Sequence, residues 1–117
     1  MPVDAASDMK ARLRVDLRTA IKEWRTMEAK VIRALIAAID NAEAPPLQAG
    51  TALVHHLFRS GSAEVGRLLL SESQVHDVLL AEIHERERAV VELERLGKMD
   101  RAETLRAEAV LAKRYIA

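Results

Sequence analysis

Two long, heavily charged, helix-prone runs flank the link Leu96-Gly97-Lys98-Met99-Asp100, and this link constrains the fold more than any other stretch. Gly97 can take the left-handed conformation that closes a helix, and Asp100 with Glu103 three residues on reads as a capping box that opens the next. Helices joined by so short a link must fold back on one another. The spacing therefore predicts an antiparallel hairpin over residues 71–117.

Within it, Ser71 and Gln74 form a second capping-box pattern, and the first hairpin helix should run to Leu96 with Val75, Val78, Leu79, Ile83, Val90, Leu93 and Leu96 inward. Arg86 falls on that inward face and must snorkel or pair, and Glu82 precedes it by one turn in the favourable order. The last helix, from Arg101, points Ala102, Leu105, Ala109, Ala112 and Ile116 at its partner, small enough for close packing.

Upstream, residues 8–23 carry Met9, Leu13, Leu17, Ala20, Ile21 and Trp24 within an arc of roughly 120° at 100° per residue, with Ser7 or Asp8 as cap. Trp24-Arg25-Thr26 contains neither Gly nor Pro, so the chain either kinks there or restarts with Thr26 as a cap. Residues 27–43 are the most apolar element. Val31, Ile32, Leu35, Ile36, Ala38, Ile39 and Ala42 cover over half the circumference and leave Lys30, Arg33, Asp40 and Asn41 wet, which predicts a central helix with neighbours on at least two sides. Pro45-Pro46 ends it. Residues 51–59 have the apolar content of a short helix broken at Gly61-Ser62, and residues 64–70 stay open between helix, extended chain and loop. The apolar connector Leu53 to Leu70 either folds over the end of the bundle or offers a docking edge to a partner or second copy. The expected fold class is all-α, a four-helix bundle-like domain with a C-terminal helical hairpin and a core from the second, third and fourth helices.

A chain of 117 residues fits one domain that buries a real core. With no Cys, neither disulfides nor a thiolate metal site are available, and the composition suits a reducing, cytoplasmic setting. No signal-peptide pattern opens the chain, and apolar runs such as residues 34–39 and 68–70 are far too short for a bilayer, so no membrane association is expected. The 18 basic and 18 acidic residues cancel, and the mixed charge on the hairpin suits a monomer.

Catalytic and metal-binding patterns are not assembled. His55 and His56 are adjacent and diverge; His76 and His84 lie two turns apart, roughly 12 Å of rise, too far to share a metal. His84-Glu85-Arg86-Glu87-Arg88 has Arg where a zinc-protease motif needs its second His. Gly61 to Gly66 has phosphate-loop spacing, but Arg67-Leu68 replace the residues that grip phosphate and Mg²⁺. Ser60, Ser62, Ser71 and Ser73 sit in no nucleophile elbow. No catalytic residue, metal ligand or cofactor site is assigned. One charged feature stands out: Lys10, Arg14, Arg18, Lys22 and Arg25 advance along one flank of the first helix within roughly 120°, with Asp8, Asp16 and Glu23 outside that arc. The stripe is the candidate phosphate-backbone surface, although it lacks an aromatic for base stacking; the alternative is a solvated flank partly neutralised by acids from a neighbour.

Met9-Lys10, Leu13, Asp16-Leu17, Ala20 and Lys22 lead into Val31-Ile32-Arg33-Ala34-Leu35-Ile36-Ala37-Ala38-Ile39-Asp40-Asn41-Ala42-Glu43. Ser71, Val75, Val78-Leu79, Glu82-Ile83 and Glu85-Arg86 follow, then Leu96-Gly97-Lys98, Asp100, Ala102, Leu105 and Glu108, and a closing Tyr115-Ile116. In this order the motifs resemble the GatB/YqeY family of YqeY-like proteins, related to the tail of the GatB component of the tRNA-dependent amidotransferase. The resemblance implies an all-α fold and a link to tRNA amidation. In the family a Tyr-Leu-Pro-like junction leads to the amidotransferase-like tail, whereas Tyr115-Ile116-Ala117 stands at the corresponding point here. Residues 1–117 are therefore expected to form a single YqeY-like helical domain without that tail. The implied function is a non-catalytic cytosolic accessory domain that binds tRNA, other RNA or a protein partner. The alternative is the family's carbon–nitrogen ligase activity with glutamine as amide donor, for which the sequence has neither a glutamine-hydrolysis nor an ATP-activation motif.

Overall fold

The computed structural model describes residues 4–45 and 66–117. They form four helices: α1 (Ala5–Lys22), α2 (Thr26–Glu43), α3 (Glu72–Arg95) and α4 (Met99–Lys113), and contain no strand. The fold is an all-α bundle closed by the α3–α4 hairpin. The expected short helix at 51–59, the His55-His56 pair, the break at Gly61-Ser62 and most of the apolar connector lie outside the described residues.

Helix ends follow local chemistry, with three departures from expectation. Asp4, rather than Ser7 or Asp8, caps α1: its carboxylate accepts from Ala6 N at 3.1 Å, Ser7 N at 3.3 Å and Ser7 Oγ at 2.8 Å. The hydrogen bonds from Ser7 hold that carboxyl below its usual pKa. At α2, Thr26 is the first helical residue and Arg25 the cap, with no side-chain capping bond. At α4 the cap is Lys98, also without a side-chain bond, so Asp100 and Glu103 lie inside the helix instead of forming a capping box. The expected box at Ser71 is present: Gln74 N donates to Ser71 Oγ at 3.1 Å and Ser71 N donates to Gln74 Oε1 at 2.8 Å. α2 ends where the chain meets Pro45, and Ala44 is extended, as a residue before proline must be.

The hairpin link closes on Gly97 at φ +76°. Lys98 N donates back to Leu93 O at 2.8 Å and Gly97 N to Glu94 O at 3.0 Å, the paired bonds of a Schellman motif. The α1–α2 corner repeats this pattern. Arg25 N donates to Ala20 O at 2.8 Å and Trp24 N to Ile21 O at 3.2 Å, with Trp24 at φ +59° in the position that Gly97 occupies in the hairpin. The chain therefore breaks between two helices here and does not kink.

α2 packs against all three other helices, as its wide apolar arc requires. Its Val31, Ile32, Leu35 and Ile39 are fully buried with Leu79 and Ile83 of α3 and Ala112 of α4. The core extends beyond the three expected helices, because Ala6, Leu13 and Ala20 of α1 are equally buried. Two residues expected on the inward face of the first helix, Ile21 and Trp24, face solvent, as does Leu96, the residue that caps α3. α3 has 24 residues against 18 in α1 and in α2, about two turns more, so its last turns and the hairpin tip extend past the layer they would pack on. Residues 66–70 are non-helical. Leu68 N donates to Glu43 O at 2.8 Å, Leu70 packs against the core, and Leu68 and Leu69 are exposed.

Candidate nucleic-acid interface

The five residues of the basic stripe have three different fates. Lys10 is only 2% exposed, and its Nζ lies between Asp40 Oδ1 at 2.8 Å and Glu43 Oε1 at 2.5 Å on α2. It is therefore removed from the candidate surface. Burial favours the neutral amine, but hydrogen bonds to both carboxylates outweigh it and raise the Lys10 pKa above its usual value. Arg25 stays exposed yet pairs with Glu23 at 2.8 Å and Glu28 at 3.8 Å. Arg14, Arg18 and Lys22 are exposed, with no carboxylate within 4.0 Å among the described residues.

Most other cations of the fold are neutralised in place. Arg86, placed on the inward face of α3, bonds Glu82 at 3.3 Å as its spacing predicts, and also Glu108 of α4 at 3.2 Å. Glu108 in turn receives Lys30 of α2 at 3.4 Å, so one buried carboxylate ties three helices together. Arg106–Glu94 at 2.5 Å and Lys113–Glu87 at 3.0 Å zip the hairpin, and Arg114 reaches Glu28 at 3.4 Å. Arg88, Lys98 and Arg101 of the hairpin and Arg12 of α1 also lack a described carboxylate partner; the first three alternate with acids in the sequence, and Arg12 lies over the Tyr115 ring. On the Arg14–Arg18–Lys22 flank no acid is interleaved.

Arg33 of α2 is also exposed and has no carboxylate partner among the described residues. It shares with α1 a concavity of about 180 Å³, floored by the buried Ala20 and Ala29 and walled by Ile21, Trp24, Arg25 and Arg33. Trp24 is 88% exposed. Base-stacking capacity therefore lies beside the stripe, whereas helical periodicity places Trp24 in the core. The helical wheel misleads there, because 100° per residue holds only while the helix lasts. Once Trp24 turns left-handed its side chain leaves the apolar arc.

Elsewhere, a cleft between α3 and α4 is lined by Glu82, Glu85, Arg86 and Glu108, but its carboxylates Glu82 and Glu108 are committed to Arg86. The described residues hold no cluster of three or more potential metal ligands, and none of their helices is long and apolar enough to cross a membrane. Tyr115 closes the far end of the bundle: its hydroxyl donates to Asp16 Oδ2 at 2.6 Å, and the Arg12 guanidinium lies 4.8 Å from its ring centroid. Burial, then the hydrogen bond to Asp16 and its negative charge, push the Tyr115 pKa up to about 12. The folded state thus holds the phenolic proton more tightly than the unfolded chain. Stability contributed by this group is complete below the ordinary value of 10.0 and is lost as pH rises toward about 12. As Tyr115 is the one tyrosine in the chain, its tyrosinate absorbance should titrate above the free-tyrosine range, alongside alkaline loss of ellipticity. Tyr115→Phe should flatten the unfolding profile over that window; titration at the ordinary value would contradict the buried Asp16 contact.

No family model, curated protein or solved structure matches this chain.

Proposed function

We propose that this chain is a non-catalytic accessory domain that binds RNA, with tRNA the first substrate to test, through the exposed flank of α1. The observation that carries the reading is the contiguous set Arg14, Arg18 and Lys22, left without carboxylate partners among the described residues in a fold that pairs most of its other cations. An unneutralised row of cations at one-turn spacing is suited to successive phosphates and dominates affinity in a salt-dependent way. Arg33 adds one more exposed cation, beside Trp24 at the α1–α2 corner. The resemblance to YqeY-like proteins supports tRNA within this class, and the rival carbon–nitrogen ligase reading finds no convergent set of acid, base and nucleophile among the described residues.

Binding of tRNA should fall steeply with added salt. Replacing Arg14, Arg18 and Lys22 together by Glu should weaken it at least tenfold. The salt slope should become shallower by about 0.7–0.9 for each phosphate contact removed. Replacing Lys10 and Glu43 together by Met, which removes a buried cation without orphaning its carboxylate, should leave that slope unchanged. Filter binding or fluorescence anisotropy across a salt series reads both effects, and unchanged affinity in the triple variant rejects the flank. Turnover of glutamine with ATP and glutamyl-tRNA would favour the ligase.

A further inference from the structure

The backbone of Trp24 points to a more specific ligand. A bulky residue at positive φ is a steric outlier, because its Cβ crowds the neighbouring carbonyl. The second Schellman turn of this fold shows the unstrained solution, a glycine at the same position, Gly97. Nothing in the burial of Trp24 compensates the strain, since the ring lies almost wholly in solvent. Local strain at an exposed residue is a mark of a functional contact. Its surroundings suggest which: the ring stands beside Arg25 and Arg33, across a concavity whose floor is two alanines, at the end of the helix that carries Arg14, Arg18 and Lys22.

We infer that Trp24 is a stacking platform for an unpaired nucleobase, so that the ligand of this corner is single-stranded nucleic acid rather than a duplex. An aromatic face accepts any base, while Arg33 beside the ring and Arg14, Arg18 and Lys22 along α1 meet the adjoining phosphates. A paired base in a duplex offers no free face to the ring, whereas splayed bases of single strands and loops do. Glu23 and Glu28 are the acids near the corner. Arg25 covers both, and Arg114 also holds Glu28, so neither is left free to repel a phosphate. A membrane surface fits less well, because the exposed apolar residues beside Trp24, such as Ile21, are interrupted by Lys22 and Arg25 and form no continuous apolar stripe. The inference rests on the nucleic-acid reading above and adds the strand state and the base contact.

Trp24 is the one tryptophan of the chain, so its emission reports the contact directly. The full chain is titrated with single-stranded adenine-rich RNA, the DNA of the same sequence, the corresponding duplex, and vesicles of phosphatidylserine and phosphatidylcholine. Single strands should quench the emission, and the duplex should bind more weakly without quenching; preference between RNA and DNA strands then says which is taken. Trp24→Phe should keep most of the affinity. Trp24→Gly should lose about 5- to 150-fold for single strands, the range expected from removing one stacked base. It should also melt no lower than wild type, since glycine relieves the left-handed strain, which separates loss of binding from loss of fold. If Trp24→Gly binds single strands as wild type does while the Arg14, Arg18, Lys22 triple variant does not, stacking is overturned and the electrostatic reading stands. Equal affinity and quenching with the duplex also overturn it. A vesicle-induced blue shift without quenching by any oligonucleotide overturns both readings in favour of a membrane surface.

Discussion

Lys10→Ala is expected to destabilise the fold by about 3–5 kcal/mol, the range for removing one partner from a buried ion pair. Glu43 is 3% exposed, and without the ammonium its carboxylate keeps, among the described residues, only the longer contact from Arg67 at 3.6 Å. Asp40 is half exposed, and water can take over its share. The loss therefore falls on Glu43. Replacing Lys10 and Glu43 together by Met should recover most of the stability, because the penalty belongs to the orphaned charge rather than to the missing pair. Urea unfolding followed by helical ellipticity measures both, and a single-mutant loss under about 1 kcal/mol would show that the carboxylate escapes to solvent. The raised Lys10 pKa sets the pH sense. Its contribution is complete below the ordinary lysine value of 10.5 and is lost as pH climbs through the higher folded value, in the same direction as the Tyr115 effect.

Leu79→Ala and Leu35→Ala should each cost about 2–5 kcal/mol, because deletion leaves a cavity as well as removing buried surface. Both side chains are fully buried in the same cluster, Leu35 on the central helix and Leu79 on the α3 face opposite it. Leu96→Ala supplies the contrast, since sequence periodicity places Leu96 on the same inward stripe as Leu79 while the structure exposes it at the hairpin tip. Its change should stay within about 0.5 kcal/mol. Comparable losses at Leu79 and Leu96 would mean that the tip is covered in solution.

These contrasts mark what was legible in the chain. The helices, their order and the hairpin follow from short-range chemistry: the 3.6-residue apolar period, the Ser71–Gln74 box, Pro45 and Gly97. α2 was recognisable as central from its wide apolar arc. Arg86 was recognisably paired, though only to Glu82, because Glu108 sits 22 residues away on another helix. The chain does carry a signal for the burial of Lys10. It lies on the wheel beside Leu17, at the edge of the apolar arc, and Asp40 and Glu43 share one face of the next helix at a spacing of three.

The sequence by itself therefore determined the four described helices and most of their apolar faces, since these depend on contacts within one or two turns. Only the tertiary structure decided the fate of the charges and of the one tryptophan. Whether a lysine on a helix flank is free or buried depends on what the neighbouring helix presents, and α2 presents two carboxylates to Lys10 but none to Arg14, Arg18 or Lys22. Whether Trp24 joins the core depends on where α1 stops, and a left-handed turn at that residue carries its ring out of the helical phase and into solvent.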